Sequence, residues 1–207
     1  MGLVDQEPVH RLTTGRLCLE LVSTVRGRLD QVPRDDLVDS QGLSAWLSRI
    51  GISTSEPPTG RDVDAFRAVR EAIYRLVVAV TGDGDGDDRI DADVTLINRY
   101  ARRELPASQL RPVRAADGRR AFEADTPPLA AGQALALFAR DTVDLLTGPA
   151  VERLHQCEAS TCGTFYVDAS RGAQRRWCLS TTCGNRARVG AFRTRMSRAT
   201  QATSSLS

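Results

Sequence analysis

The chain has 207 residues, an apolar fraction of 41% and a net charge of +2, enough for one domain of ordinary size plus a small module. No run of about 18 apolar residues is present to span a bilayer. Residues 1–10 carry acids and a proline instead of a basic, apolar and small-residue signal pattern, so the expected compartment is the cytoplasm, where paired cysteines hold metal more often than disulfides.

The mostly apolar segment Leu17-Cys18-Leu19-Glu20-Leu21-Val22 lies between Gly15 and Gly27. Its period fits a buried helix or a buried strand, and a short helix is expected. Asp39 or Ser40 can cap a helix in which Leu43, Trp46, Leu47 and Ile50 recur at three- and four-residue intervals, with Gly51 as its stop. Pro57-Pro58-Thr59-Gly60 breaks the chain before a longer helix that puts Phe66, Val69, Ile73, Leu76, Val77 and Val80 on one face. The alternating glycines and aspartates of residues 82–88 resemble a calcium loop. Counting from Asp83, however, the twelfth position is Val94 where the bidentate glutamate belongs, so a flexible acidic loop is expected.

Val94, Ile97, Tyr100 and Ala101 mark a further helix that ends before Pro106. Residues 110–114 and 120–124 flank Asp117-Gly118, a hairpin signal. A helix over about 131–146 closes at Gly148 and Pro149. Residues 1–149 therefore read as a mainly α body with one β-hairpin.

Beyond the body, all 28 basic residues of the chain being arginine, residues 153–198 hold nine arginines against two acids, Glu158 and Asp168, which leaves the rest net acidic. Cys157 and Cys162, then Cys178 and Cys183, form two equally spaced pairs. Four thiolates brought together by an intervening hairpin supply the tetrahedron that one structural Zn2+ requires, and they leave no open position for catalysis. Strand character at residues 164–167 and 175–177, with a turn over 169–174, predicts that hairpin, and a helical pattern follows from Asn185. The order is that of a small treble-clef-like ββα zinc finger over residues 150–199, with 200–207 as a disordered tail. Cys18, without a near partner, is expected to be a core thiol, and His155 a surface or neighbouring residue of the metal site.

A zinc tetrathiolate carries about −2, which Arg175, Arg176 or Arg186 can offset. Over residues 185–199 a helix would place Val189, Phe192 and Met196 on a stripe that packs on the zinc hairpin. Arg186 and Arg193 would lie on one side of it, Arg188 and Arg195 on the other, and Arg198 toward solvent. These five arginines are the candidate nucleic-acid contacts.

The run Cys178-x4-Cys183-Gly184-Asn185-Arg186, preceded by Asp168-Ala169-Ser170-Arg171 and Arg175-Arg176-Trp177, resembles the CGNR zinc-finger family. More weakly, the body is similar to the ABATE domain that usually precedes this finger. The resemblance implies zinc on the four cysteines, supported by Asp168, Arg171, Arg175, Arg176 and Asn185, in a bacterial DNA-binding transcription regulator. Where family members carry an Asp-Phe-Val-Asn-Thr-like stretch, this chain reads Glu20-Leu21-Val22-Ser23-Thr24, so Glu20, Ser23 and Thr24 are the candidate lining of a ligand pocket.

The leading expectation is a regulator whose finger binds DNA and whose body senses a small-molecule effector or forms a homodimer. The alternative is a small-molecule-binding or enzymatic body with the finger serving assembly or redox sensing. With only His10 and His155 and no nucleophile motif or phosphate-binding glycine loop, no enzyme activity is expected.

Overall fold

The computed structural model describes residues 12–82, 88–190 and 192. The body is built on α1 (Leu17–Val22), α2 (Ser40–Arg49), α3 (Gly60–Thr81), α4 (Ile90–Ala101) and α5 (Ala131–Thr147). α3, α4 and α5 pack on one another, and α1 lies against α3 and α5. The acidic loop 83–87, residues 1–11 and the expected tail 200–207 fall outside the described residues.

Local chemistry sets the helix ends. The Asp39 side chain accepts from Gly42 N at 2.8 Å and caps α2. Thr59 and Asp62 form a reciprocal capping box on α3, with Thr59 N donating to Asp62 at 2.7 Å, and Gly82 ends that helix in the left-handed conformation. Trp46 stacks on Phe138 with ring centroids 5.5 Å apart, and Phe66 meets both edge-on, so α2, α3 and α5 share an aromatic centre. Two periodic residues depart from the expected faces. Val80 in the last turn of α3 and Val94 on α4 are exposed, because a period gives a direction but does not guarantee that an element stands opposite.

A pairing of two-residue strands, β1 (Val25–Arg26) with β2 (Arg34–Asp35), has no signature in the sequence. Ions hold it in place. The buried Arg70 donates to both oxygens of Asp35 at 2.7 and 2.9 Å, to Glu71 at 2.8 Å and to Thr24 Oγ1 at 3.1 Å, while Arg28 donates to Glu71 at 2.6 Å. The hairpin β3 (Gln109–Arg114) and β4 (Arg120–Asp125) forms as the turn predicts, with Pro112 opposite Phe122.

In the C-terminal module the strand pairing differs from expectation. β6 (Phe165–Val167) pairs with β5 (Leu154–Gln156), antiparallel and in register Leu154 to Val167. Residues 175–177 are not a strand, because side chains take the backbone groups of Arg175: Asp168 accepts from its N–H at 2.9 Å and the Tyr166 hydroxyl donates to its carbonyl. Leu154, Phe165 and Val167 are buried in the same core as the helices. Among the described residues no helix is long and apolar enough to cross a membrane.

Candidate metal centre

The β5–β6 hairpin builds the first half of the site. Cys157 N donates to Thr164 O and Cys162 N to Ala159 O, both at 2.9 Å, so the connecting loop folds as a tight knuckle that turns both thiols inward. Gly163 follows with φ +67, and a Cβ there would lie 3.0 Å from the Arg28 Cβ. Only glycine lets the knuckle close against the body. Arg28 N donates to Cys162 O at 3.0 Å and Leu29 N to Thr161 O at 3.3 Å, which fastens the knuckle to the loop after β1.

The second half is a π turn, Ser180–Gly184, that leads directly into helical residues 185–190. A Cβ on Gly184 would stand 3.3 Å from the Trp177 ring, which explains a glycine directly after Cys183.

All four sulfurs lie within 4.8 Å of one another and all four cysteines are buried. The separations Cys162–Cys178, Cys178–Cys183 and Cys183–Cys162 are 3.6, 3.7 and 3.6 Å. A tetrahedron with Zn–S near 2.3 Å has edges of about 3.8 Å, so the cage fits zinc. Hydrogen bonding from Cys178 foremost draws the Cys162 thiol down to about 4, and the same contact pushes Cys178 up, while burial lifts Cys183 to about 12. Zinc replaces the protons these thiols hold, so its binding is proton-coupled.

Around the cage, Asp168 is fully buried and accepts from Ser170 N and Arg175 N at 2.9 Å each, closing the loop between the cysteine pairs; the Ser170 side chain foremost, and then these two backbone bonds, hold its carboxyl at about 2. Arg175 lies 4.3 Å over the Tyr166 ring and donates to the carbonyls of Trp177, Cys178 and Thr13. It therefore tightens the backbone behind the metal and also ties the module to the body. Arg176 joins Glu158 at 2.7 Å, linking the residue after Cys157 to the second residue before Cys178. Asn185 accepts from Arg188 at 2.9 Å. The Arg171 side chain is exposed and makes no hydrogen bond or ion pair among the described residues. His155 packs beside Tyr166, and Cys18 is a core thiol that burial pushes well up.

The basic helix departs from its expected packing. Val189 and Phe192 are 48% and 57% exposed, so they do not pack on the zinc hairpin. That hairpin's apolar residues already face the body core, which leaves no free apolar surface for a second stripe. Arg188 folds back to Ser180 O at 3.3 Å as well as to Asn185. The Arg186 side chain is exposed and has no partner among the described residues. Arg193, Arg195, Met196 and Arg198 lie outside the described residues.

Glu20, Ser23 and Thr24 line one cleft of about 480 Å³ at the junction of body and finger. Arg26, Arg34 and Arg49 join them from the body, and Cys162, Cys178, Cys183 and Arg186 from the finger. Glu20 is buried and accepts from Thr14 N at 2.7 Å and from the hydroxyls of Thr13 and Thr14. Thr14 O in turn accepts from Val167 N at 2.8 Å. Sequence reasoning missed Arg34, Thr13 and Thr14 because nothing local to them signals a ligand; only the docking of the finger brings them to the cleft.

Fold and site define a zinc-finger protein in which a helical body and a four-cysteine finger share one core. The finger holds one zinc ion on Cys157, Cys162, Cys178 and Cys183. The family model for ABATE, described as "Putative stress-induced transcription regulator", matches residues 15–149, and that for the CGNR zinc finger matches residues 153–196. The chain belongs to the ABATE family and carries a CGNR zinc finger after that domain. No curated protein matches the chain.

Proposed function

We propose that the protein is a zinc-dependent cytoplasmic transcription regulator, not an enzyme, that binds duplex DNA through its finger and the arginine-bearing segment Arg186, Arg188, Arg193, Arg195 and Arg198, with the body sensing an effector. One observation supports this reading: the last zinc ligand, Cys183, lies in the turn Ser180–Gly184 that leads into helical residues 185–190, so the metal anchors the start of the helix that carries Arg186 and Arg188. Guanidinium groups on a segment anchored by the zinc site can neutralise phosphates, and arginine can also read guanine edges. A closed tetrathiolate offers no coordination vacancy for hydrolytic chemistry, which favours a structural role for the metal.

The test is titration of the zinc-loaded full chain with duplex DNA over a salt series. Affinity should fall steeply with salt, and each of Arg188→Ala and Arg195→Ala, by removing one arginine–phosphate pairing, should make the log–log slope shallower by about 1. Salt-insensitive binding, or none, removes the proposal.

A further inference from the structure

Among the described residues, the cleft between body and finger contains two guanidinium groups that no acid pairs with. Of its body arginines, Arg26 and Arg49 lie 2.9 and 3.8 Å from Asp36. Its acids are also largely engaged, Glu20 by Thr13 and Thr14, and Asp30 by Gln31 N at 2.8 Å. Arg34 at the start of β2 and Arg186 on the finger line the same cleft and are exposed, and their side chains have no hydrogen bond or ion pair among the described residues. Each is carried by an element whose position is held from elsewhere: β2 by the Asp35–Arg70 pair and Arg186 by the zinc cage beside it.

Cys162, Cys178 and Cys183, as zinc thiolates, make that part of the wall negative, which suits arginines on the same cleft. A thiolate sulfur, however, supplies none of the paired oxygens that a guanidinium fork takes up. Val32 from the body and Leu179 from the finger add exposed apolar surface, and the Thr161 and Thr182 side chains add hydroxyls. The volume lies within the usual range of small-molecule sites, roughly 300–1,000 Å³.

We infer that this cleft binds a small organic anion, a phosphate or carboxylate on a partly apolar frame, clamped between Arg34 of the body and Arg186 of the finger. The inference deepens the proposed effector role and rests on that reading for its consequence: Arg186 cannot hold the ligand and a DNA phosphate at once. Ligand and DNA therefore weaken each other's binding, and by the same factor.

Calorimetric titration of the zinc-loaded full chain with phenyl phosphate, benzoate, phenol and inorganic phosphate tests it. At least one of the two aromatic anions should bind saturably, and whichever binds identifies the head group. Phenol should not bind, and inorganic phosphate should bind more weakly than the aromatic anion. Removing a charge-assisted hydrogen bond should weaken the anion about tenfold in each of Arg34→Ala and Arg186→Ala. Zinc content and melting temperature are checked first, with Arg34→Gln and Arg186→Gln replacing any alanine variant that fails to fold.

No saturable binding of either aromatic anion, binding undiminished in the variants, or equal affinity for phenol or inorganic phosphate overturns the inference. DNA titrations on the same samples separate the two readings. Anion binding without DNA binding removes the proposed function and leaves the cleft, whereas DNA binding without anion binding does the reverse.

Discussion

Withdrawing zinc should unfold more than the finger. Leu154, Phe165 and Val167, on the strands that carry the first cysteine pair, are buried in the core of the helical body, and Phe165 lies against Tyr74 of α3 with ring centroids 5.9 Å apart. Burial of each such side chain contributes about 1.5–3 kcal/mol, so together they supply about 5–9 kcal/mol to the body, an upper value because the unfolded chain already hides part of that surface. Total stability for a domain is about 5–15 kcal/mol. If chelation frees β5 and β6, the body loses a large fraction of its margin, and at about 2–4 °C per kcal/mol for a chain of this size its melting temperature should fall by about 10 °C or more. Melts followed by far-ultraviolet circular dichroism, at zinc saturation and in excess chelator, measure this directly, because the signal is dominated by α3 and α5. A helical transition that stays within a degree or two of the zinc-loaded value, while the Trp177 near-ultraviolet signal is lost, would refute the reasoning and make the finger an independent unit.

A pair of glycine substitutions separates backbone cost from docking. Gly118 and Gly163 both have positive φ, but a Cβ on Gly118 meets nothing within 4 Å, whereas one on Gly163 meets Arg28 and Leu29 at 3.0 Å. Gly118→Ala should cost about 1–2 kcal/mol, and Gly163→Ala a further 1–3 kcal/mol, roughly, from overpacking; equal values in urea unfolding would show that the knuckle does not press on the body. The Asp35–Arg70 pair should make stability pH-dependent. Burial raises the Asp35 carboxyl, but the Arg70 fork outweighs it and holds the group below the usual carboxylate range. Its contribution is therefore full above its ordinary value near 4 and is lost as pH falls through the lower folded value. Asp35→Asn should cost about 1.5–3 kcal/mol at neutral pH, and its gap to wild type should narrow below about pH 4; a gap that is constant or widens in acid contradicts the assignment.

Several features were legible because they depend on neighbours in the chain. The cap at Asp39, the Asp117-Gly118 turn and the two cysteine pairs all act over a few residues, and the structure follows them. The Thr59–Asp62 box is equally local, but an aspartate in place of the usual glutamate or glutamine gives it a weaker signature. β1, β2 and β5 have two or three residues each, too few for any period, and their partners are chosen by ion pairs and core burial far along the chain. Residues 175–177 have good strand composition, yet Asp168 and Tyr166 claim the backbone of Arg175, Glu158 N the Arg176 carbonyl and the Arg175 side chain the Trp177 carbonyl.

The metal was legible in the chain, since two thiol pairs at matched spacing make up the ligand set of one zinc ion, and so were the helices whose apolar faces repeat every three or four residues. Only the tertiary structure decided that finger and body share a core, that Val189 and Phe192 stay exposed, and that Arg34 and Arg186, far apart in the chain, border one cleft. The reason is physical. Coordination geometry and helical period are short-range properties of the chain, whereas a cleft exists only where two folded surfaces meet.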